Sequence, residues 1–328
     1  MGPHPSPPAP RPLPRAPGPS DASPAPAAAL PLDVVLPRLA VSRGDLVLTD
    51  GKGKPLAGLR GLDLATSLTW SGSTLGGKGQ ASIETLSVAE VLQVRRLTAP
   101  LVFSGEELTL APFSGKLADG DVVGDLRLRL AGGARYVVSI QIRDADLEKL
   151  LQEAGVARRL VAGRLQARVT LEGTGGLRTA VGSGRAEILR GALLDVPTLN
   201  GLAALLRVPE LRDLRFDEVR VDFTLADNVL RTPLIRLASR DVRITGKGSI
   251  ALATTSLDHE MTLALDRKTL ARAPREVRAA FTERPDGSTA VDFRVWGPYD
   301  SPKTDLPERL LKGVTEQFLR RGLRQLLR

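Results

Sequence analysis

The chain has 328 residues, no cysteine, 42% apolar residues but only 3% aromatic, and a formal charge of +9. Lack of cysteine excludes disulfides, thiolate metal sites and cysteine nucleophiles, and leaves the redox compartment open. The basic balance suits an anionic membrane surface better than nucleic acid: rings on which bases could stack are scarce, and the basic residues are spread along polar strand faces rather than clustered.

Residues 1–31 are rich in Pro and Ala and nearly free of large apolar side chains, the composition of a disordered or polyproline-type extension. No apolar run reaches the length of a membrane-spanning helix, and residues 27–30 are too short an apolar run for a signal peptide. Short alternations follow at Leu46/Leu48 and Leu62/Leu64. Further strands are expected at 68–70, 81–83, 101–103 and 108–110, separated by Gly, Ser, Asp and Pro clusters. The alternation then sharpens: Leu126, Leu128 and Leu130 face away from Asp125, Arg127 and Arg129, and Val138, Ile140 and Ile142 face away from Ser139, Gln141 and Arg143.

Asp144 is the expected N-cap of a helix carrying Leu147, Leu150, Leu151 and Ala154 on one stripe, with Gly155 as its stop. Residues 163–252 hold the clearest pattern. Leu165, Ala167, Val169 and Leu171 alternate with polar neighbours, as do Val219, Val221, Phe223 and Leu225, and then Val242 and Ile244. A short apolar segment at helical spacing lies between the first two strands, at 197–206. Strands at 260–265 and 290–296 and a short helix at 274–281 complete the run. Residues 305–328 open with the capping box Asp305-Leu306-Pro307-Glu308 and place Leu311, Val314 and Phe318 opposite Arg320 and Arg324, with Arg321 on the flank. This is a cationic amphipathic helix, suited to packing on the sheet or to contact with an anionic membrane or an envelope protein through Leu311, Val314, Phe318, Arg320, Arg321 and Arg324.

Chemistry-bearing motifs are scarce. Residues 72–78 match the start of a phosphate-binding loop, but Gly79 stands where Ser or Thr should hold magnesium, and strand rather than helix follows; the glycines read as a hairpin. His259 falls in register with Leu257, Met261, Leu263 and Leu265 and should point to the apolar side, away from Asp258 and Glu260. No carboxylate pair lies inside an apolar run, as acid–base work would need. No catalytic constellation, metal site or cofactor is expected.

Several stretches taken in order carry a family likeness: Asp-Ala-Asp-Leu-Glu-Lys-Leu-Leu from Asp144, Gly-Arg-Leu-Gln-Ala-Arg-Val-Thr-Leu-Glu-Gly from Gly163, Gly-Ser-Gly-Arg-Ala-Glu-Ile-Leu-Arg-Gly from Gly182, and Thr-Pro-Leu-Ile-Arg-Leu-Ala-Ser from Thr232. This succession resembles the C-terminal region of AsmA-like proteins of diderm bacterial envelopes, over residues 137–265 and more loosely 295–305. The resemblance implies a long, curved β-groove with an apolar inner face, an inner-membrane anchor helix, projection into the periplasm, and a part in phospholipid transport or outer-membrane homeostasis. This sequence departs from that plan in showing no anchor helix, with the proline-rich stretch in its place.

The expected fold is mainly β: a long curved antiparallel sheet forming an apolar groove, with two or three short helices and the C-terminal amphipathic helix. Its divisions are 1–31, the extension; 32–143, the first part of the groove; 144–266, the AsmA-like region; 267–304, a closing strand and linker; and 305–328, the helix. Short helices cannot cover so much one-sided sheet. Either it folds over as a sandwich or closed barrel, or it curls into a trough that holds acyl chains. The first outcome gives an assembly module, the second a non-enzymatic lipid-binding module whose lining would be Leu165, Val169, Leu171, Val221, Phe223, Leu225, Leu237, Ile244, Leu263 and Leu265.

Overall fold

Period-two segments become strands because each leaves one apolar face to bury, and successive segments pair because a tight turn brings the nearest backbone donors and acceptors within reach. The structure, a computed structural model, describes residues 33–49, 53, 55–72, 74–88, 91–155, 161–194, 203, 213–299 and 301–311. In chain order the strands are β1 (Val34–Thr49), β2 (Pro55–Ser71), β3 (Thr74–Val88), β4 (Leu92–Ser104), β5 (Glu107–Leu117), β6 (Gly120–Arg129), β7 (Arg135–Asp146), β8 (Val161–Thr174) and β9 (Val181–Leu194). They continue as β10 (Asp213–Ala226), β11 (Val229–Ala238), β12 (Val242–Ala251), β13 (Ser256–Leu265), β14 (Thr282–Glu283), β15 (Thr289–Pro298) and β16 (Lys303–Thr304). Helix α1 (Leu147–Glu153) follows β7, while α2 (Arg267–Arg272) and α3 (Arg275–Arg278) follow β13.

All the strands belong to one open, curved antiparallel sheet. Its order is sequential from β1 to β13, then β15 and β14, with β16 also on β15. A single sheet with two distinct edges is neither a sandwich nor a closed barrel. Near the end that carries the helices, Arg43, Gly61, Arg96, Asp144 and Arg190 have positive φ, and each sits at a register shift. Bulges of this kind bend a strand and raise its twist without ending the ladder. They explain why the alternations at Leu46/Leu48 and Leu62/Leu64 looked short. Leu62, Leu64 and residues 68–70 are one continuous strand of 17 residues, with Gly61 (φ +63°) taking up the break in period.

Asp144 is one of these bulge residues (φ +54°), so it does not cap α1. The strand runs two residues further, and Asp146, in the extended backbone an N-cap needs, accepts the Lys149 N–H at 3.0 Å. The stop is at Gly155 as expected (φ +80°). The short helix expected at 274–281 is α3, beginning after Pro274, and a second helix not expected from the sequence, α2 capped by Asp266, precedes it. Residues 306–311 are helical. The Asp305 carboxylate there accepts the backbone N–H of Arg294 at 2.7 Å and pairs with Arg309 at 2.6 Å, so it ties the helix to the edge of β15. The extension at 1–31, the 197–206 segment except Ala203, and residues 312–328 lie outside the described residues.

The main core lies where the helices meet the late strands. Leu214, Phe216, Val219, Leu237, Val242, Leu263, Leu265 and Val291 from the sheet pack with Leu270, Val277, Phe281, Leu306 and Leu310. Leu310 is fully buried, whereas Leu130, just after β6, is 49% exposed. Leu310→Ala should therefore cost about 2–5 kcal/mol, against less than about 0.5 kcal/mol for Leu130→Ala, read from chemical denaturation midpoints.

Candidate functional site

Strand register shows which side chains share a face. Ile142, Ala167, Ala186, Val221, Ile235, Gly246, Met261 and Phe293 form one cross-strand row, and Val138, Leu171, Gly182, Leu225, Leu230, Ile250, Leu257 and Gly297 form another. The same face continues backwards through Val122, Leu126 and Leu128 of β6, Leu97, Ala99 and Leu101 of β4, Ile83 of β3 and Leu64 of β2, to Leu36 and Val41 of β1. The ten residues expected to line a groove all lie on this face. So do residues of β1–β7, whose alternation was legible but was not included in the expected lining.

The floor is built by setting large side chains over glycines of the neighbouring strand. Phe113 lies over Gly124, Tyr136 over Gly173, Phe223 over Gly184, Phe216 over Gly191, Met261 over Gly246 and His259 over Gly248. A ring opposite a glycine can lie flat along the sheet, covering backbone that would otherwise be bare, instead of standing up into the trough. Of the glycine-rich stretch at 72–78, Gly72 makes the β2–β3 turn (φ +58°), whereas Gly77 is floor, close under Leu68.

Three polar side chains on this face have hydrogen-bond partners in the protein. Thr66 donates its hydroxyl hydrogen to the Lys78 carbonyl at 3.1 Å, the Tyr136 hydroxyl donates to the Gly176 carbonyl at 3.2 Å, and Thr232 Oγ1 and His259 Nε2 lie 2.9 Å apart. His259 points to the apolar side as expected, and burial lowers its pKa. Its ring is committed to Thr232.

Exposure along the face changes from strand to strand: the outer strand β1 is open, β3, β4 and β6 bury Ile83, Leu97, Ala99, Leu101 and Val122, the middle is half-covered and the late strands are packed. On β1, Val34, Leu36, Leu39, Val41, Leu46 and Leu48 are all exposed. In mid-sheet, Leu165, Val169, Leu171, Phe223 and Leu225 are half-buried. At the far end, Leu237, Leu263 and Leu265 are buried under α2, α3 and the helix at 306–311, with Val221 and Ile244 against the same cluster. These last five are thus part of the packed core or its margin, and the open lining is Leu165, Val169, Leu171, Phe223 and Leu225. Of the expected outer contacts, Leu311 is exposed; Val314, Phe318, Arg320, Arg321 and Arg324 lie outside the described residues.

The opposite face is polar and ion-paired. Asp222 takes Arg185 at 2.6 Å and Arg220 at 3.2 Å, and the Arg185 hydrogen bond holds its carboxyl below the usual range. Arg294 grips Asp258 with two bonds of 2.7 and 2.8 Å and lowers that carboxyl likewise. A concavity of about 800 Å³ on this side is lined by Arg143, Arg168, Arg185, Glu187, Asp222 and Thr224 among others. Exposed pairs of this kind add little stability, and keep this side wetted. Among the described residues no three His, Cys, Asp or Glu side chains gather as a metal site, and no helix is long and apolar enough to cross a membrane.

No family model matches this chain, and neither does any curated protein or solved structure.

Two measurements probe the floor. A methyl on Gly184 would collide with Phe223 Cζ and stand 2.7 Å from the Arg168 carbonyl oxygen, so Gly184→Val should destabilise the fold by about 1–3 kcal/mol in denaturant unfolding. Because burial lowers the pKa of His259, the unfolded chain takes up this proton first as the pH falls through about 6.5. Stability from this group is therefore full above that value and is lost as the pH falls toward the lower folded pKa. Between about pH 7 and pH 5 the denaturation midpoint should fall further in the native chain than in His259→Gln.

Proposed function

We propose that the chain is a non-enzymatic lipid-binding or lipid-transfer module, which buries phospholipid acyl chains against the apolar face of its sheet. One observation carries this reading: a continuous apolar face from β1 to β15 that is exposed along β1 and only half-buried in mid-sheet at Leu165, Val169, Leu171, Phe223 and Leu225. With Thr66 and Tyr136 bonded to backbone carbonyls and Thr232 to His259, such a face offers area rather than directional recognition. Each methylene it removes from water would contribute about 0.8 kcal/mol. The polar reverse, with its alternating charges, would keep the module wetted while the other side carries lipid.

The family likeness in the sequence supports the same reading, and with it a place in the bacterial cell envelope, on the periplasmic side and associated with the inner membrane. An anionic membrane surface or an envelope protein would be met by the cationic segment that ends the chain. The alternative, an assembly module with a self-filled interior, draws support from the packed β10–β15 end and from the buried Ile83, Leu97, Leu101 and Val122 of the early strands.

The test is lipid extraction with mass spectrometry after incubation of the whole chain with vesicles of envelope phospholipids. The native chain and Arg168→Ala, changed on the polar face, should retain phospholipid, whereas Leu171→Asp should retain at least tenfold less with an unchanged circular dichroism spectrum. Absence of phospholipid from the native chain would rule the reading out.

A further inference from the structure

The two edges of the sheet are treated differently. Along β15 the free side is taken up by β14, by β16 and by the Asp305 carboxylate on the Arg294 N–H. Along β1 no described strand pairs with the outer side, over 16 residues. Exposed backbone edges are usually blunted by charge or kept short. Here both ends of the strand are apolar on both faces: Val34, Leu36, Leu46 and Leu48 on the trough side, and Val35 and Val47, 64% and 61% exposed, on the other.

Three occupants compete for this edge. Hydrocarbon is a poor one, because a row of unpaired N–H and C=O groups cannot enter a bilayer core without a partner. The chain's own residues before β1 are dense in proline from Pro3 to Pro31 and lack the donors a pairing strand needs. A second copy of β1 fits. Turned antiparallel about Val41, the strand sets Val34 against Leu48, Val35 against Val47 and Leu36 against Leu46, apolar against apolar on both faces.

The faces also stay matched. Leu36 and Leu46 lie equally far from Val41, and each arm carries one extra residue relative to β2, between Leu36 and Leu39 and between Val41 and Gly44. Pro37 and Arg43 interrupt the ladder near its middle, leaving a paired block at each end. Pro37 would face Asp45 of the second copy, which brings Arg38 beside that carboxylate.

We propose that two copies of this chain pair through β1, antiparallel about a two-fold axis at Val41, so that the apolar face runs unbroken from one copy into the other. Isologous contacts of this kind close on themselves, and the blocked β15 edge prevents growth into a fibre. The pairing does not depend on lipid, so its failure and the failure of the lipid reading would be seen separately.

The absence of native cysteine makes the test direct. Residues on the axis meet their own symmetry mates at about 4.5–5.5 Å between Cα atoms, within the range of a disulfide. Under mild oxidation of the whole chain, Val41→Cys should cross-link to a dimer, and Val47→Cys alone should not. A mixture of Val35→Cys and Val47→Cys should cross-link again. Sedimentation equilibrium of the native chain should give twice 35.0 kDa. The Val35→Glu/Val47→Glu variant should be monomeric with an unchanged circular dichroism spectrum. A native chain that stays monomeric, or Val41→Cys and Val47→Cys that cross-link at the same rate, would overturn the proposal.

Discussion

Side chains of one face stay together across so wide a sheet only if every strand keeps the same parity relative to its neighbour. A slip of one residue would turn the apolar set of that strand to the wet side. The backbone ladder holds the parity, and the few places where it breaks are repaired locally. At Arg43, Gly61, Arg96, Asp144 and Arg190 one extra residue is absorbed as a bulge, after which the inner residues face inward again. Because these bulges recur toward the same end of the strands, they also concentrate bending there, beside α1, α2 and the buried cluster.

The other physical device is the pairing of bulky residues with glycine. With so few aromatics, this chain sets Phe113, Tyr136 and Phe223 over glycines, and Phe216 both over Gly191 and in the buried cluster. The outcome is an apolar floor whose Thr66 and Tyr136 hydroxyls bond backbone carbonyls and whose imidazole bonds Thr232. At the late strands Leu270, Val277, Phe281, Leu306 and Leu310 rise from the helices to fill the space above it, and α1, with Leu147 buried, packs against β4, β7 and β8. The sheet is therefore packed at its late strands, buried again at Ile83, Leu97, Leu101 and Val122, and open along β1 and at the half-buried middle.

Much of this was legible in the sequence, and the parts that were not share a cause. The alternation of Leu165–Leu171 and Val219–Leu225 and the inward placement of His259 follow from period two alone. The long early strands were obscured because a bulge shifts the period by one, which a strict alternation test reads as an end. The N-cap moved from Asp144 to Asp146 for the same reason. Which of the ten inner residues would remain open could not be read locally, since Leu237, Leu263 and Leu265 differ from Leu165 and Leu171 only in what the distant helices place above them. The floor glycines had a faint signature, the Gly-x-Gly spacing at 77/79, 182/184 and 246/248, each facing a bulkier residue on the next strand.

The strictly sequential strand order has a consequence for how such a molecule is made and how its size can change. Nearly every pairing joins segments adjacent in the chain, so the entropy of closing long loops is small and each strand can zip onto the last as it emerges. With about 4.8 Å between neighbours, the path from β1 to β14 spans roughly 65 Å. Inserting or deleting one hairpin would alter that reach by about 10 Å while leaving every other pairing untouched. Length in this architecture is an adjustable quantity, set by the number of turns in the gene rather than by any redesign of the core.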